Sequence, residues 1–179
     1  MRWRIWRRLK LNDEEEISIE VQKNMLGLTK GKGERSLVGK VLSDHRIGRE
    51  VVRSMMEKVW KVGKPLKFHD IGSNCFVITF VNRRDKMRVL SGCPWLFDNH
   101  LFVLKDFDGE MQPNKIDFDH ACLWIQMLNL HLSYLNKEMG ELIGRSMGEV
   151  MEVDVQEDGL AWGRCLRVRV ECDLRRPLA

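Results

Sequence analysis

Ser36-Leu37-Val38-Gly39-Lys40-Val41-Leu42 and Cys75-Phe76-Val77-Ile78-Thr79-Phe80-Val81 are apolar runs rich in β-branched residues, and between them Ile47, Val51, Met55 and Val59 recur every four residues. The runs have strand character; the spacing between them is that of a helix face, with Val52 and Met56 beside the stripe. Gly48 suits that helix's N-cap, and Ile47 and Val52 stand where a hydrophobic staple needs them. Gly63-Lys64-Pro65 closes the helix. Leu66 to Ile71 and Cys75 to Val81, joined by Gly72-Ser73-Asn74, predict a hairpin. Asn82 caps a second helix with Met87 and Leu90 expected inward, Gly92 and Pro94 stop it, and Leu101-Phe102-Val103-Leu104 is the last strand.

From Leu37 to Asp106 the order is βαββαβ, the order of a ferredoxin-like or RRM-like unit. Working outward, a second set begins at Ala121: a strand from Cys122 to Met127, a helix from Lys137 to Ile143 capped by Asn136, and strands from Glu149 to Val155 and Gly163 to Cys172. Met139, Leu142 and Ile143 are expected inward on that helix. Met151, Val153 and Val155 alternate with Val150, Glu152 and Asp154, and Leu166, Val168 and Val170 with Arg167 and Arg169, so each strand has one wet face. If these strands pair, Arg167 and Arg169 meet Glu152 and Asp154 across the ladder. The expected fold class is α+β: a βαββαβ core at 36–108 and a βαββ subdomain at 120–179 packed on it. A basic and acidic segment with linker at 1–35 and an acidic connector at 109–119 complete the chain.

The chain has 179 residues, 44% hydrophobic and 31% charged, enough for one sizeable core or two small ones. A net charge of +4 permits an anionic partner without requiring one. The five cysteines lack the spacing of a disulfide framework or a zinc site and read as reduced thiols of an intracellular protein. No apolar stretch approaches a membrane span, and the start lacks the apolar region of a secretory signal. Asp106, Asp108, Asp117 and Asp119 bracket a turn-rich connector and read as solvated. The histidines are scattered, none in a motif with a nucleophile, so no enzyme, cofactor, metal or small-molecule substrate is expected.

In an RNA-recognition motif, aromatics on the first and third strands stack bases. Here Val38, Cys75 and Val77 take those places, and Phe80 alone matches the pattern. Phe76, Ile78 and Phe80 alternate onto the helix-covered face and leave Cys75 and Val77 on the other. Trp124, Ile125 and Met127 are expected to cover that second face, so Val77→Asp is expected to abolish folding.

Leu37-Val38-Gly39-Lys40, Val59-Trp60-Lys61, Phe76-Val77-Ile78-Thr79-Phe80, Gly92-Cys93-Pro94-Trp95-Leu96-Phe97-Asp98, Leu101-Phe102-Val103-Leu104-Lys105, Asn129-Leu130, Ile143-Gly144, Val153-Asp154-Val155 and Leu166-Arg167-Val168-Arg169-Val170 together resemble the plant domain of unknown function 4283. That family occurs in gag-like proteins of non-LTR retrotransposons. A C-x2-C-x4-H-x4-C zinc knuckle commonly follows the motif seen here as Arg176-Pro177-Leu178. The chain stops at Ala179 with no knuckle, and is expected to be a fragment or truncated product that carries no zinc.

The resemblance implies a non-enzymatic module that associates with RNA or single-stranded DNA through basic surface, without base stacking. The residues expected to carry this are Lys30, Lys32, Arg35, Lys40, Arg83, Arg84, Arg175 and Arg176. The alternative is a protein-interaction and assembly module, with self-association, in which a missing knuckle handles nucleic acid.

Overall fold

A computed structural model describes residues 33–107, 112 and 115–177. The first unit runs β1 (Ser36–Val41), α1 (Arg49–Val59), β2 (Lys67–Gly72), β3 (Cys75–Thr79), α2 (Arg83–Ser91), β4 (Trp95–Phe97) and β5 (His100–Phe107). The second runs β6 (His120–Leu128), α3 (Lys137–Gly144), β7 (Glu149–Asp154) and β8 (Cys165–Asp173). The first sheet has the order β2-β3-β1-β5-β4, and all its pairings are antiparallel. This is the ferredoxin-like, RRM-like arrangement with one strand added at the edge, and the fold class is α+β. The second sheet has the order β6-β8-β7.

The added strand, β4, was not expected between Pro94 and Leu101. Asp98 and Asn99 both hold positive φ, 46° and 62°, as a two-residue hairpin turn requires, and Trp95 pairs with Phe102 across it. Phe97 thereby enters the core, and Trp95 Nε1 donates to the Val89 carbonyl at 2.7 Å.

The helix α1 keeps the expected Gly48 N-cap but turns a different stripe inward. Val52, Met56 and Trp60, again four apart, are fully buried, whereas Val51, Met55 and Val59 are 61%, 39% and 41% exposed. Trp60 decides the rotation, because it offers the largest apolar surface on the helix end. Its ring lies 5.9 Å from Phe102, 6.1 Å from Phe80 and Trp95, and 6.3 Å from Phe68.

Asn82 Oδ1 caps α2 by accepting from the Asp85 amide at 2.8 Å. Val89 faces the core and Leu90 packs against it, but Met87 is exposed and Lys86 is buried in its stead. The long stem of Lys86 fills apolar space while its ammonium exits to the Glu34 carbonyl and the Asp106 carboxylate.

In the second unit Asn136 caps α3, accepting from the Met139 amide at 2.9 Å. Gly140 and Gly144 meet the sheet, and Leu142 is exposed, contrary to expectation. A methyl at Gly144 would sit 2.7 Å from Val150 Cγ2, and one at Gly140 2.6 Å from Val153 Cγ1, so the helix lies closer than any side chain permits. A bulge between Val150 and Glu152 breaks the expected alternation in β7: Val150 and Val153 face the core and Met151 faces out. The cross-strand pairs form as expected, Arg167 with Asp154 at 3.2 Å and Arg169 with Glu152 at 3.6 Å.

The face of the first sheet away from the helices is covered differently from expectation. Val38, Cys75 and Val103 are buried under Phe118 and Ala121, with Ile116, Phe107 and Leu174 around them. Ile125 and Met127 instead belong to the core beneath α3, and Trp124 lies on the opposite face of β6, under the Arg167 guanidinium at 4.8 Å. Val77 is half-buried and lies outside this cluster. The connector therefore supplies the cover, through apolar residues spaced between its aspartates.

Candidate nucleic-acid interface

Strand pairing sets out the second face in rows. Lys67, Thr79 and Ser36 lie opposite one another across β2, β3 and β1, and His69, Val77, Val38 and Lys105 form the next row across β2, β3, β1 and β5. Phe118 and Ala121 cover the rows nearer Cys75 and Lys40, leaving Lys67 and His69 exposed at the other end. There Arg35, Pro65, Lys67, His69, Thr79, Phe80 and Val81 line a cleft of about 340 Å³. Arg35 Nη1 donates to the Val81 carbonyl at 3.4 Å. Arg83 and Arg84 follow Val81 by two and three residues, exposed in the first turn of α2.

Residues 29–115 match the model of the family described as a domain of unknown function, DUF4283.

No curated protein matches the chain. Among solved structures, the chain is similar to the first two RRM domains of the yeast poly(U)-binding protein Pub1, at 14% identity and a TM-score of 0.31, covering 76% of this chain and 82% of that one. It is also similar to the N-terminal three RNA-binding domains of the yeast splicing factor Prp24, at 12% identity and a TM-score of 0.30, covering 76% of this chain and 55% of that one. At these scores the likenesses add nothing to the strand order described above.

The structure separates the basic residues that the sequence singles out. Arg35 lines the cleft, and Arg83 and Arg84 follow its Val81 by two and three residues in the chain. Lys40 lies toward the covered end, with its ammonium 5.9 Å from the centre of the Phe118 ring. Arg175 is held by Asp173 at 2.9 Å and Asp119 at 3.3 Å, and Arg176 reaches Asp173 at 3.5 Å. Hydrogen bonds from Arg175 hold the Asp173 carboxyl well below the usual carboxylate range and raise the Arg175 guanidinium in turn. Lys30 and Lys32, like the basic segment at 1–10, lie outside the described residues.

Lys67 and His69 were not singled out from the sequence. The signal was there: they flank Phe68, which faces the core, and alternation sends both to the other face. Conversely, Lys86 and Arg88 are paired within the chain, Lys86 as described and the exposed Arg88 by Asp85 and the Trp60 carbonyl. The Arg88 contact also lowers the Asp85 pKa.

His69 and Asp70 occupy successive positions of β2 and so face opposite sides of the sheet. Among the described residues no group of three or more His, Cys, Asp or Glu side chains could hold a metal ion.

Proposed function

We propose that this chain is a non-enzymatic, gag-like module of retrotransposon origin and intracellular location that binds RNA or single-stranded DNA along the phosphate backbone. The reading rests on one observation: Arg35, Lys67 and His69 line a single cleft at the open end of the sheet, with Arg83 and Arg84 next to it in the chain. Among the described residues, β1 and β3 present no aromatic on that face, so base stacking has no platform. Such binding is electrostatic and weakens with salt by about 0.7 log units per phosphate contact per log unit of salt for a single strand.

Filter binding of labelled single-stranded RNA over a salt series tests it. The triple variant Lys67→Glu, Arg83→Glu, Arg84→Glu should bind more weakly and lose about two from the salt slope. No retention at low salt, or a slope unchanged in the variant, would overturn the reading.

The exposed stripe Val51, Met55 and Val59 on α1 favours a second reading, a self-associating assembly module. Light scattering of the concentrated protein separates the two, because a strict monomer excludes it.

A further inference from the structure

Arg169 reaches from the outer face of β8 across the seam between the two sheets. Its guanidinium donates to the Ser91 carbonyl and to Cys93 Sγ, the latter at 3.1 Å. Cys93 lies in the connection between α2 and β4, and Cys122 of β6 is near enough for the two thiols to influence one another. Cys122 and Arg169 share a face of the second sheet, since Cys122 pairs with Glu171 and its i+2 neighbour Trp124 pairs with Arg169. Two half-buried thiols, one from each side of the seam, therefore meet beside a cation. The other cysteines lie elsewhere: Cys75 and Cys172 are buried in separate cores, and Cys165 opens β8 opposite Leu128.

We infer that Cys93 and Cys122 form a reversible thiol-oxidation site that crosslinks the two units of the fold. The inference stands apart from the nucleic-acid reading, as it uses none of the residues at the cleft. A guanidinium beside a sulfur favours its thiolate, which is the nucleophile of thiol chemistry. Burial, and then the neighbouring Cys93, push the Cys122 thiol up to about 11, which disfavours Cys122 as the nucleophile.

Cys93, whose sulfur accepts from the Arg169 guanidinium, is the attacking sulfur and Cys122 the resolving one. With a hydroperoxide as oxidant, the Cys93 thiolate attacks one oxygen and the O–O bond breaks. The leaving alkoxide or hydroxide takes up a proton, and Cys93 becomes a sulfenic acid. Cys122 Sγ then attacks that sulfur; its proton and the sulfenic hydroxyl leave as water, and the S–S bond forms. Two thiols lose two electrons, and the peroxide is reduced by two. A dithiol reductant restores both thiols by exchange. The bond would close the loop that contains the connector, fixing Phe118 over the first sheet from a second direction.

The test treats the full reduced chain with stoichiometric hydrogen peroxide and maps its peptides without reduction. A Cys93–Cys122 linked peptide is expected, within a monomer lighter by two hydrogens, with a raised urea midpoint and complete reversal by dithiothreitol. Cys122→Ser should trap Cys93 as a sulfenic acid that reacts with dimedone, whereas Cys93→Ser should leave Cys122 a free thiol. Arg169→Gln, which removes the donor to Cys93 Sγ, should slow oxidation at neutral pH. Linkage through Cys165 between chains would overturn the assignment. So would over-oxidation of Cys93 with Cys122 still free, or dimedone labelling of Cys122 in the Cys93→Ser variant.

Discussion

Replacing Phe118 by alanine tests how the second face of the first sheet is closed. Phe118 is 8% exposed and packs with Val38, Cys75, Val103 and Ala121, two of which come from the strands on either side of β1. Removing a buried phenyl ring costs about 3–5 kcal/mol through lost transfer energy and the cavity left behind. Its partial exposure at the connector points to the lower part of that range, about 3 kcal/mol. The Lys40 contact with the ring adds about 0.5 kcal/mol in this half-exposed setting. With a urea slope of about 2 kcal/mol per molar, the midpoint should fall by about 1.5–2 M.

Val77→Asp should cost much less, because Val77 is half-buried and its cross-strand neighbour His69 is exposed and compatible with a carboxylate. About 1 kcal/mol, or a shift of about 0.5 M, is expected. Urea titration by tryptophan fluorescence and by far-ultraviolet circular dichroism gives both midpoints. A Val77→Asp midpoint lowered as far as that of Phe118→Ala would refute the reasoning. It would mean that the sheet is closed over Val77, as the sequence suggested.

Three further outcomes follow from the packing. Gly144→Ala gains helix propensity of about 1 kcal/mol but puts a methyl within 2.7 Å of Val150 and 3.0 Å of Val168. Overpacking of about 1–3 kcal/mol should win, lowering the thermal midpoint. Lys86→Glu would bury a carboxylate facing Asp106 and the Glu34 carbonyl, at a cost of about 3–5 kcal/mol, whereas Lys86→Met should lose far less in the same denaturation assay. Asp85, Asp117, Asp158 and Asp173 all have depressed pKa values in the folded chain, with Arg88, the Asp119 amide, the Leu160 amide and Arg175 as their leading causes. Their contribution is present in full above the unfolded carboxylate pKa near 4 and is lost as pH falls through the folded values. Thermal midpoints between pH 6 and pH 3 should therefore decline, and Asp173→Asn should flatten the decline. A decline identical in that variant would show that the Arg175 pairing contributes nothing.

Sequence alone determined the order of every element but β4, because period, caps and turns are local properties. Asn82 and Asn136 cap their helices through their side chains, Gly48 stands at the N-cap of α1 without one, and the opposed charges of β7 and β8 meet across the ladder. Alternation also placed Phe76, Ile78 and Phe80 on the helix side correctly. Which of two apolar stripes a helix buries is a different kind of question. On α1 both Val51-Met55-Val59 and Val52-Met56-Trp60 have spacing four, and only the pocket formed by Phe68, Phe80, Trp95 and Phe102 selects the second. The glycine face of α3 is invisible to a hydrophobic pattern for the same reason, since close approach shows only when the opposing sheet is in place. The basic residues were legible as residue types, but charge is not location: pairing with Asp173 and Asp119 occupies Arg175, and burial takes Lys86, while strand register brings Lys67 and His69 beside Arg35. Tertiary structure decided these because a side chain's partner is set by contacts between residues far apart in the chain, which no local period encodes.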